Sequence, residues 1–317
     1  MGYHETQYRE KMARRTRAEA RTRSPAIGMT PTDLSNIRFT SPFIHELREK
    51  GYLPVDMHIH TRYSDGAIRI PSLLARARYL GIGVAITDHN EIRGAVEACD
   101  TSRDVLVIPG IELSSLEGPH ILLYFSAIED LTDYFATQVQ GNLKKSQYMA
   151  LELPIMKILG SASEYPCITV AAHPFGYFGI KRGILKCIER KTLHPGIMNH
   201  IDGIEVICGA MSRNINEKAA RYAGVHRLPV TGGSDAHVLP AVGGVVTGVR
   251  ADTVSGFLDG ILLRKSIVTG TTASPLHKGM NAGVIAWNYV PSTVSMVQVS
   301  FEESIPRLKR HLHELFK

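Results

Sequence analysis

The sequence predicts an α/β protein built as a (β/α) barrel, with a metal site at the carboxyl ends of its strands. From about residue 51 onward, short runs of Val, Ile, Leu and Ala alternate with helical stretches. Continuous apolar runs are typical of strands covered on both faces, and alternation of strands with helices favours a parallel sheet or barrel. His, Asp and Glu residues follow several of these runs, at the end of the strands where barrels build their active sites.

The elements follow in order from these runs. We predict strands over Leu53–Met57, Gly83–Thr87, Val105–Ile111, Ile121–Phe125, Ile168–Ala172, Gly203–Cys208, Leu228–Thr231 and Val245–Val249. We predict helices over Pro71–Leu80, a long segment Asp130–Leu159, Asn214–Ala223 and Thr253–Leu263.

One connection departs from the alternation. Glu112 and His120 are eight residues apart across a Glu-Gly-Pro turn. Because a parallel crossover needs a dozen or more residues, these two strands should form an antiparallel hairpin. The hairpin would return His120 beside Glu112.

Nine side chains are candidate metal ligands, and each follows or lies close to a predicted strand. They are His58, His60, Asp65, His89, Glu112, His120, His173, Asp235 and His237. Imidazole and carboxylate without thiolate suit Zn²⁺, Mn²⁺ or Fe²⁺ rather than a structural cysteine-zinc knot, and no C-x-x-C pair is present. His58 and His60 are two residues apart, so in a strand both would point to one face.

Singly, these motifs have structural explanations. Asp65 precedes a glycine, as turn aspartates do, and Asp88 could cap the following helix. The order of the motifs, their strand context and their chemistry together favour a shared polynuclear site. We expect Asp56 and Asp88 to hold an imidazole N–H and fix its tautomer, with direct coordination as the alternative.

The motifs resemble those of the PHP (polymerase and histidinol phosphatase) superfamily over about residues 52–250. The segments that carry the resemblance are Asp56-Met-His-Ile-His-Thr-Arg-Tyr-Ser-Asp-Gly66, Ile86-Thr-Asp-His89, Pro109-Gly-Ile-Glu112, Ala172-His-Pro174 and Gly233-Ser-Asp-Ala-His237. The resemblance implies a distorted (β/α)7 barrel with a trinuclear site at its C-terminal mouth.

The resemblance also implies how two or three divalent ions (Mn, Fe or Zn) would be held. His58, His60, Glu112 and Asp235 would hold one ion, and Glu112 would bridge to a second held by His120 and His173. Asp65, His89 and His237 would hold the third. Asp65, His89, Asp235 and His237 are the residues we expect to act in catalysis.

The predicted function is metal-dependent hydrolysis of phosphomonoesters of nucleotides or 5'-phosphorylated RNA. The chain is similar to stand-alone nucleoside 3',5'-bisphosphate phosphatases, although Asn90 stands where they usually have an acidic residue. The substrate phosphate would contact Arg62, Arg69, Lys181 or Arg182. No P-loop, dinucleotide fingerprint or nucleophilic Ser or Cys motif lies at a strand end.

Three alternatives stay open. The metal site could hydrolyse another bond, as in amidohydrolase barrels, or act on a small metabolite such as histidinol phosphate. The third alternative is a nucleic-acid-binding accessory module, in which the barrel is structural. Salt-dependent RNA binding without hydrolysis would favour that reading.

The chain divides into three predicted parts. Residues 1–50 form a basic, disordered extension with a lead-in helix, 51–275 the barrel, and 276–317 an extension ending in an amphipathic helix at Ile305–Phe316. The net charge is +6, and residues 1–24 contribute +4 from seven Arg or Lys against three Glu, so the rest of the chain is not a basic nucleic-acid surface. The basic leader is expected to be solvated, with an RNA-contacting arm as the alternative. With no apolar run that could span a membrane, we expect a cytoplasmic protein of undetermined oligomeric state.

Overall fold

The computed structural model describes residues 34–144, 150–176 and 183–288. The strands are β1 (Ile37–Arg38), β2 (Leu53–Ile59), β3 (Gly83–Ile86), β4 (Val107–Ser114), β5 (His120–Phe125), β6 (Cys167–Ala171), β7 (Gly203–Cys208), β8 (Val230–Gly233), β9 (Val245–Val249) and β10 (Ile267–Gly270). The basic leader, the Lys181-Arg182 pair and the predicted helix at Ile305–Phe316 lie outside the described residues.

The helices lie between the strands. They are α1 (Ile44–Glu49), α2 (Ile70–Leu80), α3 (Arg93–Thr101), α4 (Ile128–Tyr134), α5 (Ile155–Ala162), α6 (Ile184–Glu189), α7 (Arg213–His226), α8 (Val254–Leu262) and α9 (275–288). A π-helical turn at Phe135–Val139 and 3-10 turns at Gln140–Asn142, Pro195–His200 and Leu239–Ala241 complete the described helical structure.

The strands form one curled sheet in the order β1-β10-β9-β2-β3-β4-β5-β6-β7-β8. Strands β2, β3 and β4 are parallel, as are β6, β7 and β8, while β5 is antiparallel to both neighbours. Ala236, just after β8, bridges Ile59 at the end of β2. The sheet therefore curls back on itself as a distorted barrel of strands β2 to β8, which confirms the predicted fold class.

The hairpin predicted from the short Glu112–His120 spacing is confirmed. In the β4–β5 ladder Glu112 pairs with Leu122, and Ser114 pairs with His120. Side chains on one face of a strand recur every second residue, so Ile108 and Glu112 face the same side of β4, and His120 and Leu122 face the same side of β5. Ile108 and Leu122 belong to an apolar cluster that packs against Phe257 of α8. Glu112 and His120 therefore lie on the same strand faces as Ile108 and Leu122, beyond the apolar cluster.

The predicted helix over Asp130–Leu159 is confirmed at its two ends and is wrong for residues 151–153. The chain is helical through α4 and the π and 3-10 turns, and α5 begins after Pro154. Between them, the Leu151 N–H bonds the Ser114 carbonyl at 2.8 Å, and the Leu116 N–H bonds the Leu153 carbonyl at 3.0 Å. Proline lacks an N–H and disfavours helix in the residue before it, so residues 151–153 pair with the hairpin instead.

The described ranges contain no helix with the length and apolar character needed to cross a membrane.

Candidate metal centre

The structure brings all nine predicted ligands to one place, at the carboxyl ends of the barrel strands. Each is buried, with at most 8% of its surface exposed. They come from β2 (His58), the segment after it (His60, Asp65), the loop after β3 (His89), β4 (Glu112), β5 (His120), the loop after β6 (His173) and the loop after β8 (Asp235, His237).

Glu112 lies at the centre of the cluster, and its two carboxylate oxygens face different imidazoles. Oε2 is 3.5 Å from His58 Nε2, 3.4 Å from His60 Nε2 and 3.0 Å from His89 Nδ1. Oε1 is 2.9 Å from His120 Nδ1 and 3.1 Å from His173 Nε2. Oε2 is buried without a hydrogen-bond donor. This arrangement presents one carboxylate to two groups of potential ligands.

Asp65 organises a second group. Its carboxylate lies 3.5 Å from His60 Nδ1, 3.6 Å from His89 Nε2 and 3.2 Å from His237 Nε2. On the other side of His60, Nε2 lies 3.1 Å from His58 Nε2 and 3.2 Å from Asp235 Oδ1. His58 and His60 therefore converge as their spacing predicts.

Within the described residues, three sets have ligand atoms lying within 4.8 Å of one another. They are His60, Asp65, His89 and His237; His58, His60 and Asp235; and His89, Glu112 and His120. The sets overlap at His60 and His89, so the centre is continuous rather than three separate sites.

A tight turn after β2 delivers Asp65. The N–H groups of Ser64 and Gly66 both bond the Thr61 carbonyl, at 3.1 and 3.0 Å. A Cβ on Gly66 would lie 2.3 Å from the His60 carbonyl oxygen, so only glycine fits this turn. Asp88 clamps the same turn by accepting hydrogen bonds from Thr61 N–H at 2.7 Å and from Ser64 Oγ at 2.5 Å.

Asp56 plays the corresponding part for the loop that carries Asp235. Its carboxylate accepts hydrogen bonds from the backbone N–H groups of Ser234 and Gly243, each at 2.8 Å. Gly233 allows this close approach, since a Cβ there would lie 2.3 Å from His58 Cβ. Asp56 and Asp88 thus support loops through backbone and hydroxyl groups, where the sequence led us to expect a contact with an imidazole.

Two of the nine residues have unusual backbone conformations. His173 has φ 26° and Asp235 has φ 51°, and Asn90, beside His89, has φ 49°. Non-glycine residues with positive φ are uncommon and cluster at functional sites, where the surrounding structure maintains the strain. The Asn90 side chain helps to do so, because its Oδ1 accepts a hydrogen bond from Ser114 N–H at 3.0 Å.

Glu205 on β7 is a site residue that the sequence did not single out. Its Oε1 lies 3.0 Å from His58 Nδ1, and its Oε2 accepts a hydrogen bond from His173 N–H at 2.7 Å. Such a carboxylate fixes the tautomer and orientation of a ligating imidazole. A detectable signal was present, because an acid inside the buried run Ile204–Ile207 requires a partner.

Electrostatics within the cluster keep its carboxylates ionised. Burial alone raises a carboxyl pKa, but the facing imidazoles outweigh it. His89 and His120 hold the pKa of Glu112 well below its usual range, and His58 does the same for Asp235. Asp65 likewise has a lowered pKa. By contrast, burial raises the pKa of Asp56 and that of Asp88 to about 6.

The imidazoles divide into two kinds. Burial and the neighbouring His237 lower the pKa of His60 to about 4. Burial also opposes protonation of His58 and His237, but Glu205 raises the pKa of His58 well above its usual value, and Asp65 raises that of His237 to about 9. Without an ion, the cluster must therefore hold protons at neutral pH.

The charge balance fits divalent cations. Asp65, Glu112, Glu205 and Asp235 are buried together, and the buried polar residues in the described part of the chain include no Lys or Arg. Buried charges require compensation. Protons on the imidazoles or bound metal ions can supply it, and the convergence of ring nitrogens and carboxylate oxygens suits metal ions.

The predicted phosphate-binding residues lie at the periphery. Arg62 is exposed, with its guanidinium 5.3 Å from the Tyr63 ring centroid and 4.0 Å from the Glu97 carboxylate. Arg69 is exposed at the start of α2. Both stay predictions, as does the Lys181-Arg182 pair.

Comparison with known proteins identifies the family. The PHP domain family matches residues 56–177, and the PHP-associated family matches residues 214–266. An uncharacterized protein of Methanocaldococcus jannaschii is 36% identical over 88 residues, which cover 23% of this chain and 52% of the relative. The chain thus spans about half the length of this curated relative.

Two solved structures share the fold. PsfC from Pseudomonas syringae has a TM-score of 0.54 at 19% identity, covering 74% of this chain and 98% of PsfC. A lesion-specific endonuclease from Pyrococcus furiosus, endonuclease Q, has a TM-score of 0.53 at 20% identity, covering 68% of this chain and 57% of the endonuclease. At these identities the likeness is one of fold. The two family matches, with the ligand cluster at the strand ends, show that this chain carries a PHP domain followed by a PHP-associated region.

Proposed function

We propose that this protein hydrolyses phosphomonoesters of nucleotides or of 5'-phosphorylated RNA with two or three divalent metal ions. The observation that carries the proposal is Glu112, whose two oxygens face two separate groups of imidazoles. A carboxylate so placed suits a bridge between two ions. Paired ions are a common device of enzymes that cleave phosphoesters.

The ligand sets implied by family resemblance are compatible with this geometry. One ion would be held by His58, His60, Glu112 and Asp235, the next by Glu112, His120 and His173, and a third by Asp65, His89 and His237. When bound, divalent ions lower the pKa of a coordinated water and neutralise charge on phosphoryl oxygens, so no protein nucleophile is needed.

The chain's own residues would prepare the site for this chemistry. Glu205 fixes His58 in one orientation through Nδ1, which leaves Nε2 directed at Glu112 and Asp235. Asp88 and Asp56 hold the two loops that carry Asp65 and Asp235. Because these supports are buried, the ligand positions are set before substrate arrives.

The substrate assignment follows from residues near the mouth and from the resemblance to nucleotide phosphatases. Arg62, beside the first motif, is exposed and therefore accessible to a substrate phosphate. Its guanidinium can form paired hydrogen bonds to phosphate oxygens. Arg69 is the second accessible candidate.

The test is phosphate release by Mn²⁺-reconstituted protein on nucleoside 3',5'-bisphosphates, 5'-mononucleotides, 5'-phosphorylated RNA, histidinol phosphate and sugar phosphates. We expect turnover of nucleotides or RNA. His58→Ala and Asp235→Ala should each reduce it to background, whereas His226→Ala, a change at an exposed histidine of α7, should leave it intact. Metal-loaded protein that is silent on every substrate would refute the proposal.

A further inference from the structure

Helix α9 lies along one side of the mouth and outside both family matches, which end at residues 177 and 266. Three side chains of this helix donate hydrogen bonds to backbone carbonyls in the segments that follow three neighbouring barrel strands, β7, β8 and β2. Lys278 Nζ bonds Met211 O after β7 at 3.2 Å, Asn281 Nδ2 bonds Asp235 O after β8 at 3.4 Å, and Asn288 Nδ2 bonds Asp65 O after β2 at 2.8 Å.

Two of these carbonyls belong to Asp65 and Asp235, which are proposed metal ligands. The helix therefore rests on the rim directly above the centre. The chain leading into α9 is held there too, because Ala273 N–H bonds Gly209 O, just after β7, at 2.8 Å.

Helix α9 exposes apolar side chains on its outer face and buries an amide on its inner face. Its outer face carries Leu276, Met280 and Trp287, which are 70%, 41% and 77% exposed. Asn281, on the inner face, is only 5% exposed. A helix seated mainly by hydrophobic contact buries its apolar face instead. The partly buried Val284 packs against the main core, so both this apolar contact and the polar bonds to the rim hold α9 in place.

Asn281 offers a specific group for a ligand. Its Oδ1 is buried and has no hydrogen-bond partner in the structure, while its Nδ2 is bonded beside Asp235. A buried acceptor without a donor is costly and therefore uncommon. A hydroxyl or water brought by a substrate would satisfy it.

We propose that α9 selects the substrate by walling one side of the entrance, so that the centre accepts small or chain-terminal phosphoesters and rejects internal phosphodiesters. This inference rests on the proposed phosphoesterase function. An internal phosphodiester has nucleic-acid chain on both sides of the scissile phosphate, whereas a terminal phosphate has chain on one side only. A helix with a diameter of about 10 Å on the rim obstructs one of the two paths. Asn281 is the specificity residue, and Asn288 is a positioning residue that holds the helix down.

The test compares the full-length wild type with the double variant Asn281→Ala/Asn288→Ala, both loaded with Mn²⁺. One substrate is p-nitrophenyl phosphate, and the other is a single-stranded oligonucleotide without terminal phosphates, which offers only internal bonds. We expect the double variant to raise kcat/KM for the oligonucleotide, relative to p-nitrophenyl phosphate, by at least about tenfold. An unchanged ratio would overturn the inference, whereas wild type inactive on every phosphomonoester would overturn the proposed function instead.

Trp287 supplies a readout that does not depend on activity. It is the only tryptophan in the sequence, so time-resolved fluorescence anisotropy reports on α9 alone. Because 77% of the Trp287 side chain is exposed, its ring motion gives a fast component even in the wild type, and we expect a fast component of larger amplitude in the double variant. A fast component of equal size in both proteins would also overturn the inference.

Two further variants serve as controls. Met280→Ala changes the outer face next to Asn281 and should keep both the substrate ratio and the anisotropy of the wild type. The single variant Asn288→Ala keeps Asn281 and should also show a fast component larger than that of the wild type, with a smaller change in the substrate ratio. If it matches the wild type in both measurements, Asn288 does not hold the helix.

Discussion

Glu205 offers a direct test of the metal centre, because it supports ligands without belonging to the proposed ligand set. Glu205→Gln keeps the size of the side chain but replaces one acceptor with a donor. Its two hydrogen bonds come from His58 Nδ1 at 3.0 Å and His173 N–H at 2.7 Å. In the variant, one of these donors must face an NH₂ group.

The size of the expected losses in metal affinity and in stability follows from this mismatched hydrogen bond. Removing the partner of a ligating histidine typically lowers metal affinity by about 10- to 100-fold, which is about 1.4–2.8 kcal/mol of binding free energy. The metal-free protein loses one charge-assisted hydrogen bond in a buried site, so its free energy of unfolding should fall by about 1.5–3 kcal/mol.

The assay is calorimetric titration of metal-free protein with Mn²⁺ or Zn²⁺, together with urea unfolding. The control is Asp202→Ala, which removes the acceptor of two hydrogen bonds. Asp202 also accepts two hydrogen bonds, from Thr169 N–H and Oγ1 at 2.9 Å each, but it lies before the start of β7, at the opposite end of the strand from the site. It should lower stability without changing metal affinity.

The reasoning fails if Glu205→Gln binds metal as tightly as the wild type. It also fails if both variants lose affinity equally, since affinity would then follow overall stability rather than the contact with His58.

Three other predictions concern the supports and the ions. Burial raises the pKa of Asp88 to about 6 from an ordinary value of 3.8, so the folded state favours its protonated form and stability contributed by this group is lost as pH rises from about 4 to 6. The loss in the free energy of unfolding is at most about 3 kcal/mol, and metal-free Asp88→Asn should lack it when urea unfolding is followed across this pH range. The same pH dependence in the wild type and the variant would contradict the prediction. Gly66→Ala places a Cβ 2.3 Å from the His60 carbonyl oxygen, so it should lower the free energy of unfolding by about 1–3 kcal/mol and weaken metal binding. In the control Gly141→Ala the new Cβ meets nothing within 4 Å, so neither property should change. Equal effects of the two variants in thermal melts and metal titrations would contradict the role assigned to Gly66. Finally, ions that bind only the folded protein should stabilise it by about 2.7 kcal/mol at 100 times Kd, so chelation should lower the melting temperature by a corresponding amount, and no change would argue against a specific site.

The sequence was sufficient for the fold and for the convergence of the nine side chains, because both depend on local patterns. Strand ends are marked by apolar runs, and ligand-type residues follow them directly. The Glu112–His120 hairpin followed from loop length alone.

Features that depend on long-range contacts were not predictable in the same way. Glu205 lies in an apolar run and meets His58 only after β7 and β2 have come together. Residues 151–153 are not helical because they pair with the β4–β5 hairpin. Helix α9 has a start signal, since Ser274 Oγ accepts a hydrogen bond from His277 N–H. Its apolar residues Leu276, Met280 and Trp287 face solvent, however, so the hydrophobic pattern does not predict which face packs on the barrel.

The contacts of Asp56 have a consequence for how the protein is made. This residue of β2 binds backbone groups that follow it by 178 and 187 residues in the chain. Chains emerge from the ribosome N-terminus first, so His58 to His173 are synthesised well before Asp235 and His237. The centre therefore cannot be completed until residue 243 has emerged, and we expect a growing chain shorter than this to bind the ions weakly.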